Sequence, residues 1–324
     1  PAAKKASAKK EKKTAEPEAP VASFDIYAKA NFSEGVAATY EHPGLHKAIT
    51  KPLTNIVGPI DQATAMSLWS KLLIFMGDTP APAGAPSAFA QIHALCKEGI
   101  DREPLRKEIY CQVLKQLFKN PSKGSAARGW ILLNMYLGSF CPPEDMNETL
   151  QYFISKGPAA FKEFATTKLL RANSNGTRAM PPLAVELKVV KSRQYLQLPI
   201  TVAGTEQEAV AIDSLTTAKE LLNNACKKVG LLSSRGFAIR LKAGSAITTT
   251  GESDVKILDL LAAAEKKHGE GVWKLELVKE AFAPWHPPIE EDVLAIELST
   301  TQIFAGVHHG KFTLKDEDAY VQFL

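Results

Sequence analysis

The sequence predicts a multidomain fold: an all-α helical bundle, then an α+β ubiquitin-like roll, then the start of another helical unit. Three observations predict it. From about Asp61 to Ala172 apolar residues recur at three- and four-residue spacing, which lines one face of successive helices. After Met180-Pro181-Pro182 the period shortens, with runs rich in Val, Leu and Ile. After Pro284 helical spacing returns, in a segment too short to enclose a core of its own.

In the first block, Asp61-QATAMSLWSKLLIFM-Gly77 puts Met66, Trp69, Leu72, Leu73 and Met76 on one stripe. A helix from Ser87 to Glu98 is expected to close at Gly99. Another, Ser125-AARGWILLNMYL-Gly138, begins at a capping Ser and ends at a Gly that can take positive φ. Pro142-Pro143 and Pro158 each open a further helix, where a missing N–H costs nothing. In the second block, LAVELKVV and YLQLPITV look like strands. Thr217-x-x-Glu220 is a capping box for a helix that stops at Gly230. GFAIRLK predicts a strand, VKILDLLAAAEKKHG a helix and VWKLELVKE a last strand. The third block holds a helical pattern from Glu291 to Phe304, a Gly-bearing turn and a helix start at Asp316. The expected units are therefore a basic linker (1–22), the helical domain (23–182), the roll (183–283) and the beginning of a third unit (284–324).

Residues 1–22 contain six Lys and three Glu but no aromatic or long aliphatic side chain, so they cannot offset the entropy of ordering by burying a core. They are expected to be a disordered, solvated tether, although their lysines could touch an acidic partner or an anionic membrane. Residues 284–324 carry seven acids against two bases and stand apart. The net charge of +4 over 324 residues is too small to mark a nucleic-acid binder. The four cysteines, Cys96, Cys111, Cys141 and Cys226, form no CxxC pair, which argues against a structural zinc site or a disulfide framework and fits a reducing compartment. No apolar run has the length that crosses a bilayer. The chain opens at Pro1 rather than Met, so it is expected to be a piece of something longer.

No constellation of catalytic groups is visible, and no cofactor is expected. There is no P-loop and no GxGxxG after a strand. His42-Pro-Gly-Leu-His46 has metal-ligand spacing, but Pro43 and Gly44 break the helix that would align the rings. His308-His309 would point to opposite sides of an extended strand.

The stretch LRKEIYCQVLKQLFKNPS, Leu105 to Ser122, poses the sharpest question. On a helix, Leu105, Ile109, Val113 and Leu117 form an apolar face with Tyr110, Leu114 and Phe118, and Cys111 sits at its margin as a packing residue rather than a nucleophile. The polar face carries Lys115 and Lys119, followed by Lys123 and Arg128, while Arg106 and Lys107 lie in the first turn. Acid is scarce, with only Glu103 and Glu108 between Arg102 and Arg128. This is either a solvated helix surface or a basic patch for an acidic partner, and periodicity alone does not choose.

These runs also resemble a known family. LRKEIYCQVLKQLFKNPS, then RGWILLNMYLGSFCPP, then GTRAMPPLAVEL are similar to the signature of the myosin tail homology 4 domain, as are Lys51-Pro-Leu and the helix ending FMGD. In that family a FERM domain follows at once, and the pattern from Leu183 is similar to its ubiquitin-like first lobe. KEAFAPWHPP, Lys279 to Pro288, is similar to the lobe junction of class VII myosin tails. The resemblance covers roughly Ser23 to Leu324, with two departures: Lys107 stands where relatives often carry an acid, and the second FERM lobe is incomplete while the third is absent. It implies a non-catalytic, cargo-binding tail of an actin-based motor whose ATP-hydrolysing domain lies elsewhere in the chain. It further implies adaptor or receptor segments as partners, with microtubules or the motor head of the same protein as others. Actin contact would run through the motor only, the membrane would be met only peripherally, and the location would be cytoplasmic, on the cytoskeleton in actin-rich protrusions. Position by position, it points to Arg106, Lys107, Lys115, Lys119, Lys123 and Arg128 as the partner-binding surface. A kinesin tail or a motor-free cytoskeletal adaptor with the same domain pair is the alternative.

Overall fold

The computed structural model describes residues 23–40, 49–202, 205–206, 209–281 and 292–310. The expected linker, the His42/His46 pair, most of the junction after Lys279 and the helix start at Asp316 lie outside the described residues.

Among the described residues eight α-helices build the first unit: α1 (Phe24–Asn31), α2 (Pro59–Met76), α3 (Ala88–Asp101), α4 (Arg106–Leu117), α5 (Lys123–Leu137), α6 (Asn147–Ser155), α7 (Ala159–Asn175) and α8 (Ala184–Ser192). Local chemistry sets most ends. Pro59 starts α2, and Gly77 closes it at φ 73°, a left-handed value that glycine adopts without a Cβ clash. Ser87 Oγ accepts the Ala90 N–H at the start of α3. The middle of the bundle is α4 and α5, whose Tyr110, Leu114, Leu133 and Tyr136 are buried with Phe140.

Four local expectations change. Helix α3 runs through Gly99 to Asp101, because the glycine serves packing rather than termination: a Cβ there would lie 2.3 Å from Phe140 Cε1. The cap of α5 is Ser122, not Ser125; Ser122 Oγ accepts the Ser125 N–H. Gly138 keeps φ −87° and is small because Lys168 Nζ and Ser214 Oγ sit 2.8 and 3.0 Å from where its Cβ would be. LAVELKVV is the helix α8, not a strand. Its alternating Val185, Leu187 and Val189 suggest period two, but the side chains it buries are Glu186, Leu187 and Val190, spaced for a helix. Glu186 fixes the start by accepting the Leu183 N–H at 2.8 Å. Leu187 and Val190 join the helical core, whereas Leu183 joins the next one, so α8 belongs to both.

The second unit contains β1 (Leu196–Leu198), β2 (Ile200–Val202), β3 (Thr205–Glu206), β4 (Val210–Ile212), α9 (Ala218–Val229), β5 (Phe237–Ala243), β6 (Ala246–Thr250), α10 (Ile257–His268) and β7 (Lys274–Lys279). Pro199 lacks an N–H and divides YLQLPITV in two. As a result β1 pairs with β4, while β2 joins a five-stranded sheet in the order β3-β2-β7-β5-β6. Strand β7 lies parallel to β2 and antiparallel to β5, with Leu275 opposite Ile200 and Leu241. Leu221, Leu222, Leu258 and Leu261 of α9 and α10 are buried in the same core as these strand residues. The Thr217/Glu220 box opens α9 and Gly230, at φ 90°, ends it. Beyond the roll, α11 (Val293–His308) is capped by Asp292, which accepts the Ala295 and Leu232 N–H groups. His308 and His309 sit at its end rather than on a strand.

Replacing Gly99 with Ala tests the packing argument by setting two effects against each other. Alanine favours a helix interior by about 1 kcal/mol, but forcing a methyl into a filled core costs about 1–3 kcal/mol. Because Phe140 is fully buried, the second effect should win. Thermal denaturation of Gly99→Ala should show a lowered midpoint, and a raised midpoint would refute the close-packing role.

Candidate partner-binding surface and the seam between the lobes

Helix α4 is buried on nearly every side, including its polar stripe. Glu108 is fully buried and accepts four hydrogen bonds, from the Leu53 and Thr54 N–H groups, Thr54 Oγ1 and Gln112 Nε2, at 2.7 to 2.9 Å. Gln112 also donates to the Ala65 carbonyl. Lys115 Nζ donates to the carbonyls of Ala37 and Thr39 at 2.6 and 2.9 Å. The stripe therefore binds the backbone of an irregular N-terminal strap instead of water. Buried main-chain groups without a ladder need such partners.

The six basic residues assigned to one surface divide accordingly. Lys115 is not on the surface at all; its side chain is inside, holding the strap. Arg106 does not extend to solvent from the first turn either. It lies against the end of α3, donating from Nε to the Gly99 carbonyl at 2.8 Å. Arg128 is an exposed residue, but its Nε donates to the Met76 carbonyl at 2.6 Å and its guanidinium covers Gly77. Both arginines cap helix C-termini, where orphan carbonyls and the helix dipole favour a cation. Lys107 is half-buried, paired with Asp145 at 2.6 Å and bonded to Asn31 Oδ1. Lys119 and Lys123 are exposed, and neither is in an ion pair among the described residues. Lys119 holds φ 59°, with its Nζ 5.1 Å from the Phe118 ring centre.

A second cluster, absent from the sequence reading, joins the helical bundle to the roll. The Arg178 guanidinium is fully buried: Nε donates to Asp259 Oδ1 at 2.8 Å, and Nη1 to both Glu186 oxygens at 2.8 Å. Asp259, on α10, also accepts the Ala179 and Met180 N–H groups. Desolvation alone would weaken the charge of Arg178, but Glu186 and Asp259 outweigh it and hold the pKa above its ordinary value. Nearer the surface, Arg171 on α7 forks onto Asp213 at 2.8 Å and Glu220 at 2.5 and 2.7 Å. Glu220 thus caps α9 and docks the roll with the same carboxylate. Lys168 is buried beside Ser214, and burial lowers its pKa. A groove of about 390 Å³ opens along this seam, lined by Tyr195, Thr216, Asn223, Asn224 and Lys227 together with the Arg171 pairs. The local signal for Arg178 was only a cation in the run Gly-Thr-Arg-Ala-Met-Pro-Pro, with no acid closer than Glu186 in sequence.

The thiol of Cys111 is fully buried, and desolvation raises its pKa well above the usual range, as expected of a packing residue. Cys141, half-buried, is raised for the same reason. Among the described residues no group of three or more His, Cys, Asp or Glu is placed to hold a metal, and no helix is long and apolar enough to cross a membrane.

The geometry defines a class: a helical domain fastened by buried charge to a small ubiquitin-like lobe, with buried side chains that hold irregular backbone. Comparisons agree. Residues 92–189 match the MyTH4 domain and residues 194–281 an RA like domain. The chain is 37% identical over 240 residues to myosin-VIIa of Drosophila melanogaster and 33% identical over 257 residues to unconventional myosin-VIIb of Mus musculus. These matches cover 72% and 77% of this chain but only 11% and 12% of those proteins. The chain thus spans about a tenth of the length of these relatives. The MyTH4-FERM MF1 domain of Dictyostelium discoideum myosin VII superposes with a TM-score of 0.76 at 23% identity, over 91% of this chain and 64% of that one. The C-terminal MyTH4-FERM domain of human myosin 7b, solved with the harmonin-a PDZ3 domain, gives 0.71 at 18%, over 87% and 60%. The chain is therefore a MyTH4 domain followed by a FERM-type, RA-like lobe, similar to the tail of class VII unconventional myosins.

Two outcomes follow from the seam. Arg178→Met leaves Glu186 and Asp259 buried without their cation, a change that costs about 3–5 kcal/mol, so urea unfolding should begin earlier and split into two transitions as the lobes separate. Glu220 is held by Arg171 at about 2, below its ordinary 4.5. A carboxylate depressed in the folded state contributes stability above pH 4.5 that is lost as pH falls toward 2. Glu220→Gln should flatten that part of the stability profile, and a profile unchanged from wild type would reject the assignment.

Proposed function

We propose that this chain is a non-catalytic, cargo-binding part of the tail of an actin-based motor of the class VII myosin type. It would link the motor to adaptor or receptor proteins at the actin cytoskeleton. The observation that carries this reading is the likeness to class VII myosin tails across both lobes, with the MyTH4 match and the RA-like match in consecutive order. The human relative solved with a harmonin-a PDZ3 domain supports adaptor binding as the kind of work done. We take α8 as the joint between the domains, and α11 as the beginning of the second FERM lobe. A motor domain elsewhere in the same chain would supply ATP hydrolysis. Contacts with microtubules or with the motor head would use the same tail surface and would allow the tail to restrain the motor.

Within this reading the partner-binding basic surface reduces to Lys119 and Lys123, with Lys107 at its edge. Arg106, Lys115 and Arg128 are instead held by backbone carbonyls. Charge recognition of this kind weakens as salt rises, because the screening length falls from roughly 10 Å at about 0.1 M to roughly 3 Å at about 1 M. Lys119→Glu combined with Lys123→Glu should weaken capture of acidic adaptor segments by about tenfold and flatten its salt dependence while leaving the unfolding midpoint in place. Equal capture by variant and wild type at every salt concentration, measured by quantitative pull-down, would dismiss this surface. A kinesin tail or a motor-free adaptor is the competing reading, and a kinesin head or the absence of any motor in the flanking sequence would establish it instead.

A further inference from the structure

Helix α8 ends in an unusual way. Its final cap is Arg193 at φ 56°, ψ 44°, the left-handed conformation that opposes any Cβ and that Gly77 and Gly230 supply at the ends of α2 and α9. Only Lys119 shares this conformation among described non-glycine residues, and it too is basic. On the outer side of α8, Lys188 and Lys191 are three residues apart and exposed, as is Arg193. None of the three has an ion-pair partner among the described residues. From Leu187 to Thr205 there is no acidic residue. The Arg193 guanidinium lies 5.3 Å over the Phe161 ring of α7, whose next two residues, Lys162 and Glu163, are both exposed.

Beside this cationic tip the surface is recessed. Tyr195, 48% exposed, follows Arg193 by two residues and lines both the small cavity against α7 and the groove of about 390 Å³ toward α9. The groove's two acids, Asp213 and Glu220, are already engaged by Arg171, so they do not repel an anion strongly. Lys227 adds a cation to its lining, and Asn223 and Asn224 can both donate to and accept from a peptide backbone. We propose that the C-terminal end of α8, through Lys188, Lys191 and Arg193, is a second docking surface whose occupant is an extended acidic peptide lying across the groove beside Tyr195. A flat bilayer would meet the cations but could not follow the recess. This surface is on a different helix from Lys119 and Lys123 and goes beyond the function proposed above.

The test uses a fluorescein-labelled peptide of alternating Glu and Ser, about ten residues and roughly 33 Å when extended, followed by fluorescence anisotropy with the whole chain. Lys188→Glu combined with Lys191→Glu should weaken binding about tenfold. Arg193→Gly relieves the left-handed strain, so it should weaken binding about threefold without lowering the unfolding midpoint, a combination that a purely structural arginine would not give. Arg193→Lys should keep the affinity. Lys119→Glu with Lys123→Glu should change it less than about twofold, which separates failure here from failure of the basic surface on α4. Wild-type affinity in the Lys188/Lys191 variant or in Arg193→Gly overturns the proposal. So does displacement of the peptide by phosphatidylserine vesicles that bind the chain more tightly, which would assign the surface to a membrane.

Discussion

The buried Arg178 guanidinium is the interaction on which the arrangement of the two lobes depends. It sits where three pieces of chain meet: the exit from α7, the start of α8 through Glu186, and the start of α10 through Asp259. The Arg178 N–H also reaches the Ser139 carbonyl just after α5. A charge this deep is tolerable only when its partners are as deep as it is, since desolvating an unpaired ion costs several kcal/mol. That requirement makes the seam all-or-none: the roll cannot swing away without leaving Glu186, Asp259 or Arg178 stranded in an apolar setting. Among the described residues Arg178 Nη2 has no hydrogen-bond partner. Removing one partner from such a buried set costs more than the intact set contributes, so the pairing fixes geometry whatever its net contribution to stability.

The outer pairs follow from that constraint. Once Arg178 sets the angle, α7 faces the turn before α9 closely enough for Arg171 to fork onto Asp213 and Glu220. Gly138 then lies under Ser214, with room for Lys168 and nothing larger. Asn175 completes the contact by donating to the Leu215 carbonyl. The groove is a by-product of this geometry, since two rounded lobes held at a fixed angle leave a recess along their line of contact.

Much of the fold was legible in the sequence because its signals were local. The Thr217/Glu220 capping box and the glycines closing α2 and α9 act within a few residues of where they are read. The apolar period likewise placed Ile109, Val113 and Leu117 inside and made Cys111 a packing residue. Misreadings arose where one pattern admits two explanations. Alternating valines hid α8, since Glu186 looks like an exposed polar residue until Arg178 is brought against it from eight positions away. Gly99 looked like a helix end, and Gly138, which does end α5, looked like a positive-φ cap, because a glycine needed for close approach and a glycine needed for positive φ are the same letter. Arg178 was invisible for a different reason: Asp259 is 81 residues distant, and no local pattern points to it.

The basic helix shows the same limit in charge. A polar stripe on a helix normally faces water, and counting its cations suggested a patch of six. Three of those cations are occupied by carbonyl oxygens, at the ends of α2 and α3 and along the strap beside α4. An unpaired backbone carbonyl leaves no trace in composition, so a cation assigned to one cannot be told from a solvated neighbour by spacing. One survivor, Lys119, shares an unusual backbone conformation with Arg193 at the end of α8. Lys119 and Arg193 hold left-handed φ values that glycine would take with less strain. Each keeps a long cation at a helix terminus, where the dipole supports it and the side chain projects past the last turn. A basic surface in such a fold is therefore better located by asking which cations stay exposed and outside ion pairs than by summing charge along a helix.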